Sequence, residues 1–142
     1  GQYDAIVLAA AGLRRLGWAG RIRELIDLEI MCPAVGQGAL AIETRDDDGP
    51  AARLARQLNH AASNTAVTAE RSLLATLEGG CQVPIGAHAT LDGATIQLRA
   101  IVSSPDGSRV VRDRASGSEP VALGRELGER LLAAGAREIL GS

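Results

Sequence analysis

The chain has 142 residues, 46% hydrophobic and 23% charged, with fifteen basic side chains against seventeen acidic ones and a net charge of −2. This is globular composition, which excludes wholesale disorder, and a duplex-nucleic-acid binder would carry a basic excess. Apolar runs are too short to span a bilayer and no N-terminal stretch reads as a signal peptide. Cys32 and Cys81 stand too far apart to be a disulfide framework, so a cytoplasmic setting is expected.

All fifteen basic residues are Arg, and Tyr3 and Trp18 are the only aromatics. A core must therefore be built from Ala, Leu, Ile and Val. The Ala-, Gly- and Arg-rich vocabulary reflects a GC-rich genome rather than a function. The chain begins at Gly1, its only Met is Met31, and it enters an apolar run almost at once. It reads as part of a longer protein.

The run Asp4–Ala10 predicts a strand covered on both faces. Ala11–Gly17 follows as a short helix stopped at Gly17. A strand feeding a helix is half of a βαβ unit, whose parallel partners would lie upstream. Residues 21–32 are mixed and carry no clear period, and Met31–Gly38 is a loop with Pro33 disfavouring helix at Cys32. Ala39–Thr44 predicts a second strand. Asp46-Asp47-Asp48-Gly49-Pro50 turns into a helix over about 50–60, with Ala51, Leu54, Ala55 and Leu58 on one face. The acidic triplet suits the helix dipole and lacks the later carboxylate of an EF-hand loop.

Ser63-Asn64-Thr65 can cap a helix running to about Leu77, with Ala66, Val67, Glu70, Leu73, Leu74 and Leu77 as its core stripe. Glu78–Gly86 is a loop. Three strand candidates follow at 87–91, 94–103 and 108–115, joined by the turn signals Asp92-Gly93 and Pro105-Asp106-Gly107. A last amphipathic helix spans about 120–134, from Pro120 to a stop at Gly135, with Val121, Leu123, Leu127, Leu131 and Leu132 on its apolar face. From residue 63 onward the order helix, three antiparallel strands, helix predicts a small α+β unit able to fold alone. Residues 1–62 predict a remnant of open α/β structure that wants a larger parallel sheet.

Cys81 stands out chemically. Glycines beside a thiol let a bulky adduct approach, and a helix terminus or a nearby Arg would lower its pKa; a buried structural Cys is the competing reading. Arg14-Arg15 lies where an open α/β sheet binds ligands and suits carboxylates or phosphates, against two solvated helix cations. Gly36-Gln37-Gly38 can offer backbone N–H groups to an anion, against a plain turn. Cys32, His60, Cys81 and His88 lack zinc-ligand spacing. The two His read as surface or capping residues, and no metal is expected.

The run Leu77-Glu78-Gly79-Gly80-Cys81-Gln82-Val83-Pro84-Ile85-Gly86 resembles the cofactor-attachment loop of the porphobilinogen deaminase (hydroxymethylbilane synthase) family. Three further segments resemble it in the same order: Tyr3–Ala9 with Ala11–Gly17, Pro33–Ala39, and Thr68-Ala69-Glu70-Arg71. The resemblance implies an enzyme that condenses four porphobilinogen molecules with loss of ammonia into hydroxymethylbilane, in haem biosynthesis. It implies a dipyrromethane cofactor bound through a thioether to Cys81. Arg15 would be among the arginines that bind pyrrole acetate and propionate groups, and Gln37 and Gly38 would line the cleft. The family has three domains, the first two being open α/β units of the periplasmic-binding-protein type. Residues 1–32 then correspond to the end of domain 2, 33–62 to a return segment into domain 1, and 63–142 to domain 3, which carries the cofactor.

The family's catalytic aspartate belongs to the missing N-terminal half. None of Asp4, Asp27, Asp46, Asp47 or Asp48 matches its motif, so no catalytic residue is assigned in this chain. The chain alone is expected to be inactive, with Cys81 a free thiol, and to self-associate or lose order over 1–62. No nucleic-acid or membrane partner is expected. The alternatives are a non-catalytic binding or assembly module, or one half of a split enzyme.

Overall fold

Helix α3 (Ala61–Thr76) begins where the His60 imidazole Nδ1 accepts the Ser63 N–H at 3.3 Å, which satisfies one of the donors a helix start leaves open. The cap is thus His60 rather than the Ser63–Thr65 group. In this computed structural model, which describes residues 2–78 and 84–141, α3 is one of two long helices laid on one face of a three-stranded sheet. The chain forms two compact units, Gly1–Met31 and Cys32–Ser142.

In the larger unit, β1 (Ile85–Asp92), β2 (Thr95–Ser103) and β3 (Val110–Gly117) form an antiparallel meander in the order β1-β2-β3. Gly93, with φ +58°, opens the two-residue connection between the Asp92–Thr95 pair. A first-position Gly of this kind is what a type II′ hairpin requires. Register places Ala87 beside Ala100, Ala89 beside Leu98 and Leu98 beside Ala115. These residues face the helices, while Thr90, Gln97, Arg112, Arg114 and Ser116 point out and are exposed. The alternation is that of a sheet with one covered face.

The covered face meets α3 and α4 (Pro120–Leu131). Leu73, Ile96, Leu98, Val102, Leu127 and Leu131 are the largest fully buried side chains. Each such burial stabilises by roughly 1.5–3 kcal/mol. Val121, placed on the apolar face by periodicity, is instead exposed, in the first turn of α4. Its carbonyl accepts the Ser72 hydroxyl at 2.7 Å. After α4 the chain makes one wide turn and kinks at Gly135, φ +109°, before α5 (Arg137–Leu140).

The two long helices cross closely because α4 presents glycine. A Cβ on Gly124 would lie 2.3 Å from the Ala69 carbonyl oxygen and 2.8 Å from the Leu73 nitrogen. One on Gly128 would lie 2.8 Å from Thr76 Cβ.

Side chains and a neighbouring segment occupy part of each sheet edge. On β3 the Arg114 N–H donates to Asp113 Oδ1 at 2.7 Å, and Arg130 reaches both Asp113, at 2.7 Å, and the Arg114 carbonyl, at 3.4 Å. On β1 the Ala87 N–H donates to the Pro33 carbonyl at 2.9 Å, and the Ala89 N–H to Glu70 Oε1 at 2.8 Å. Where an edge is occupied in this way it no longer offers a template to another chain.

Residues 1–62 depart most from expectation. No ladder forms at 5–10 or 39–44; the only bridge there is Ala34 with Gly86, among the described residues. An extended segment becomes a strand only when a neighbour accepts its hydrogen bonds. Ile6, Val7, Leu8, Leu40 and Ile42 are accordingly exposed. Among the described residues before α3, two α-helices form, α1 (Ala10–Arg15) and α2 (Pro50–Gln57), with a 3-10 turn at Ala19–Arg21. On α2 only Ala52 is buried, while Leu54 and Leu58 of the anticipated stripe are exposed; no described helix or strand packs along it. The acidic triplet serves the turn. Asp47 Oδ1 accepts the Gly49 N–H at 2.8 Å, and Asp48 engages Arg53 and Arg56. No described helix is long and apolar enough to cross a membrane.

Gly124→Ala is expected to destabilise the larger unit by about 1–3 kcal/mol or more, because the added methyl meets backbone that cannot yield. Urea denaturation followed by far-ultraviolet circular dichroism measures this. The β2–β3 turn supplies a pH dependence. Asp106 Oδ1 accepts Ser104 Oγ–H at 2.5 Å, then the Ser108 N–H and hydroxyl, and these bonds hold its carboxyl at about 2, below the usual 3.8. A lowered pKa means the stabilisation is present above pH 3.8 and is lost as the pH falls through 2. The stability gap between Asp106→Asn and the parent should therefore be constant above pH 4–5 and shrink across that window, as thermal melts at several pH values would read.

Candidate functional site

Arg15 sits in the last turn of α1, exposed, beside Arg14. The helix ends there in a Schellman arrangement. Gly17 has φ +74° and donates to the Arg14 carbonyl at 3.0 Å, and the Trp18 N–H reaches the Leu13 carbonyl at 2.8 Å. Cations at a helix C-terminus complement its dipole, so both arginines have a structural reason for their place. Arg21 stacks on the Trp18 ring with its guanidinium carbon 4.8 Å from the ring centre.

Gln37 and Gly38 belong to two successive turns. The Gln37 N–H donates to the Ala34 carbonyl at 3.0 Å and the Ala39 N–H to the Gly36 carbonyl at 3.1 Å. Gly36 and Gly38 hold the third positions at φ +71° and +86°, where type II turns require glycine. The Gln37 side chain is spent locally: its Oε1 accepts the Ala34 N–H at 3.1 Å.

The anticipated use of these amides by an anion is met from inside the chain. The Gly36 N–H donates to Glu70 Oε2 at 2.7 Å. Of the turn's amides, Gly38 N–H makes no hydrogen bond to a described residue, and a Cβ on Gly38 would touch nothing within 4 Å.

Cys81 lies outside the described residues; the residues on either side of 79–83 are placed. On one side α3 closes with Leu77 buried and Glu78 at φ +50°. On the other, the Pro84 carbonyl accepts the Ser103 N–H at 3.0 Å, so the exit is tied to β2. Gly86 follows two residues later. A Cβ there would lie 2.9 Å from the Cys32 carbonyl oxygen, 3.0 Å from that of Pro33 and 2.8 Å from Ile101 Cγ2. Only glycine lets the 32–34 segment run against β1.

Glu70 connects these pieces. It is 6% exposed and receives the Gly36 N–H on one oxygen and the Ala89 N–H on the other. Periodicity put it in the core stripe of α3. An acid at such a position must be hydrogen-bonded, and that was the available signal. Its two partners are 34 residues upstream and 19 downstream, which no local pattern reveals. Of the two histidines, His60 caps α3 and His88 is half-buried on β1. No group of three metal-ligating side chains occurs among the described residues.

Two family profiles match the chain: "Porphobilinogen deaminase, dipyromethane cofactor binding domain" over residues 1–53, and "Porphobilinogen deaminase, C-terminal domain" over 64–133. Arg15, Gln37 and Gly38 fall in the first span and Cys81 in the second. Curated relatives named porphobilinogen deaminase include those of Trichlorobacter lovleyi, 52% identical over 98% of this chain and 45% of the relative, and Brevibacillus brevis, 50% identical over 99% and 46%. A third, from a Roseiflexus species, is 51% identical over 99% of this chain and 46% of its own length. The chain thus spans a little under half the length of these relatives. With both profiles and all three relatives in agreement along its length, the chain belongs to the porphobilinogen deaminase family and corresponds to its C-terminal portion.

Proposed function

We infer that this chain is the cofactor-carrying part of an enzyme that joins four porphobilinogen molecules into hydroxymethylbilane with loss of ammonia, a transferase of haem biosynthesis. The observation that carries this reading is the match of residues 1–53 to the family's cofactor-binding domain, with Cys81 inside the span matched by its C-terminal domain. Taken one by one, three residues have chemistry that suits a dipyrrole bearing carboxylates. Cys81 offers a thiol for a carbon–sulfur bond. Arg15 offers an exposed guanidinium able to take a carboxylate in two parallel hydrogen bonds. Gly38 offers an amide with open space beside it.

Bound dipyrromethane would supply a covalent primer that stays with the protein through successive additions. The residues of this chain then anchor and orient. A thioether at Cys81 resists the acid that proton transfer at a pyrrole needs. Arg15 would neutralise carboxylate charge, and Gly38 would offer its backbone N–H with no side chain of its own in the way. Proton handling needs a positioned acid, and no residue here is assigned that role.

Residues 1–32 are the end of domain 2 on this reading, 33–62 the return to domain 1, and 63–142 domain 3. The exposed apolar side chains at 6–8, 40 and 42 are then strand faces of open α/β sheets whose other strands are not in this chain. That the chain spans under half of its relatives supports the expectation that it is inert alone.

Purified chain incubated with porphobilinogen should therefore release no more product than a Cys81→Ala control, and its intact mass should show Cys81 unmodified. Turnover above that control would overturn the expectation of inactivity. A linked dipyrrole in the mass spectrum would contradict the free thiol while strengthening the assignment of Cys81.

A further inference from the structure

On the reading of Gln37, Gly38 and Cys81 as cofactor-holding residues, Glu70 becomes more than a buried acid. We propose that Glu70 is a positioning residue of that site: by holding the Gly36 and Ala89 N–H groups together, it fixes the Gln37–Gly38 turn to the strand that leaves the Cys81 loop.

The geometry is a three-way junction. Glu70 lies mid-helix on α3, whose C-terminal end enters the 79–83 loop. Its Oε1 takes the Ala89 N–H on β1, the strand that begins after that loop, at 2.8 Å. Its Oε2 takes the Gly36 N–H at 2.7 Å, one residue before Gln37. Both are charge-assisted bonds of short length, made where the side chain is almost withdrawn from water. The same carboxylate thus joins the middle of α3, β1 and the Gly-rich turn. Ala87 N–H on the Pro33 carbonyl, at 2.9 Å, and the Ala34–Gly86 bridge supply a second tie between the turn segment and β1. Among the described residues, Glu70 is the α3 side chain that hydrogen-bonds both of these.

A carboxylate suits this junction because both of its oxygens accept. A glutamine has the same shape but turns an NH₂ toward one of the two N–H donors, so it keeps one tie and loses the other. An aspartate is a methylene short of reaching both. The charge is used on the chain's own amides, which sets Glu70 apart from residues that touch a ligand.

The test reads amide exchange and thiol access on the purified chain, needing neither cofactor nor turnover, so it can fail while the assignment of function stands, and the reverse. In Glu70→Gln one of the two amides, Gly36 or Ala89, should exchange at least about tenfold faster, with Leu98 and Leu127 unchanged as reporters of the core. Alkylation of Cys81 by iodoacetamide under native conditions should change at least about threefold in the same variant, with Glu70→Asp giving an effect of the same sign. A smaller change at Cys81 with the core intact overturns the proposal, whatever the amides do. Should Glu70→Gln open the core as well, the unmodified chain decides. Its Gly36 and Ala89 amides should share one protection factor, at least about tenfold above that of Gly38, and unequal protection overturns the proposal.

Discussion

One carboxylate organises the larger unit. Placing Glu70 in a helix face that is otherwise Ala69, Leu73 and Leu77 costs desolvation, and the chain offsets that with two backbone donors from distant segments. Leaving either donor unbonded after burial would cost about 1–3 kcal/mol. The consequence is directional as well as energetic. A hydrophobic contact tolerates sliding, but two N–H groups on one carboxylate fix where the 34–39 turn and β1 stand against α3. Part of the outer edge of β1 is occupied by the same device, since Glu70 and the Pro33 carbonyl take the donors at Ala89 and Ala87.

The rest of the packing follows from small residues. With no Phe in the chain and its two aromatics confined to Tyr3 and Trp18, the core cannot be filled by bulk. It is closed instead by bringing backbones near. Gly124 and Gly128 let α4 lie on Ala69, Ser72 and Thr76, and Gly86 lets the 32–34 segment lie on β1. Alanines at 87, 89 and 100 on the covered face of the sheet keep the helix layer close. Close approach replaces side-chain volume, and it makes glycine positions as sensitive to substitution as leucine positions are elsewhere.

What could be read beforehand divides along physical lines. Alternation in 96–102 and the 3.6-residue period of 69–77 and 123–131 are local signals, and they located β2, α3 and α4 to within a few residues. Gly93, Gly107 and Gly135 marked turns through a need for positive φ that is also local. The segments 5–10 and 39–44 are apolar enough for strands, but ladder formation depends on partners, and no described residue supplies them. Leu54 and Leu58 show the same limit on α2, where periodicity reports a face and says nothing of what lies on it. Among the candidate site residues, Arg15, Gln37 and Gly38 stand on the elements anticipated for them, with Gln37 turned onto its own turn. Cys81 lies outside the described residues. The Glu70 junction was legible only as a misplaced acid.

The confinement of aromatic residues to the first unit has an optical corollary. Residues 32–142 contain no Phe, Tyr or Trp, so the sheet-and-helix unit is silent in near-ultraviolet absorption and intrinsic emission. All native fluorescence of the chain originates from Tyr3 and Trp18, the latter lying against the Arg21 guanidinium. Emission and far-ultraviolet ellipticity therefore report on different stretches of one polypeptide, and a tryptophan introduced into the larger unit would be read against a background set entirely by the smaller one.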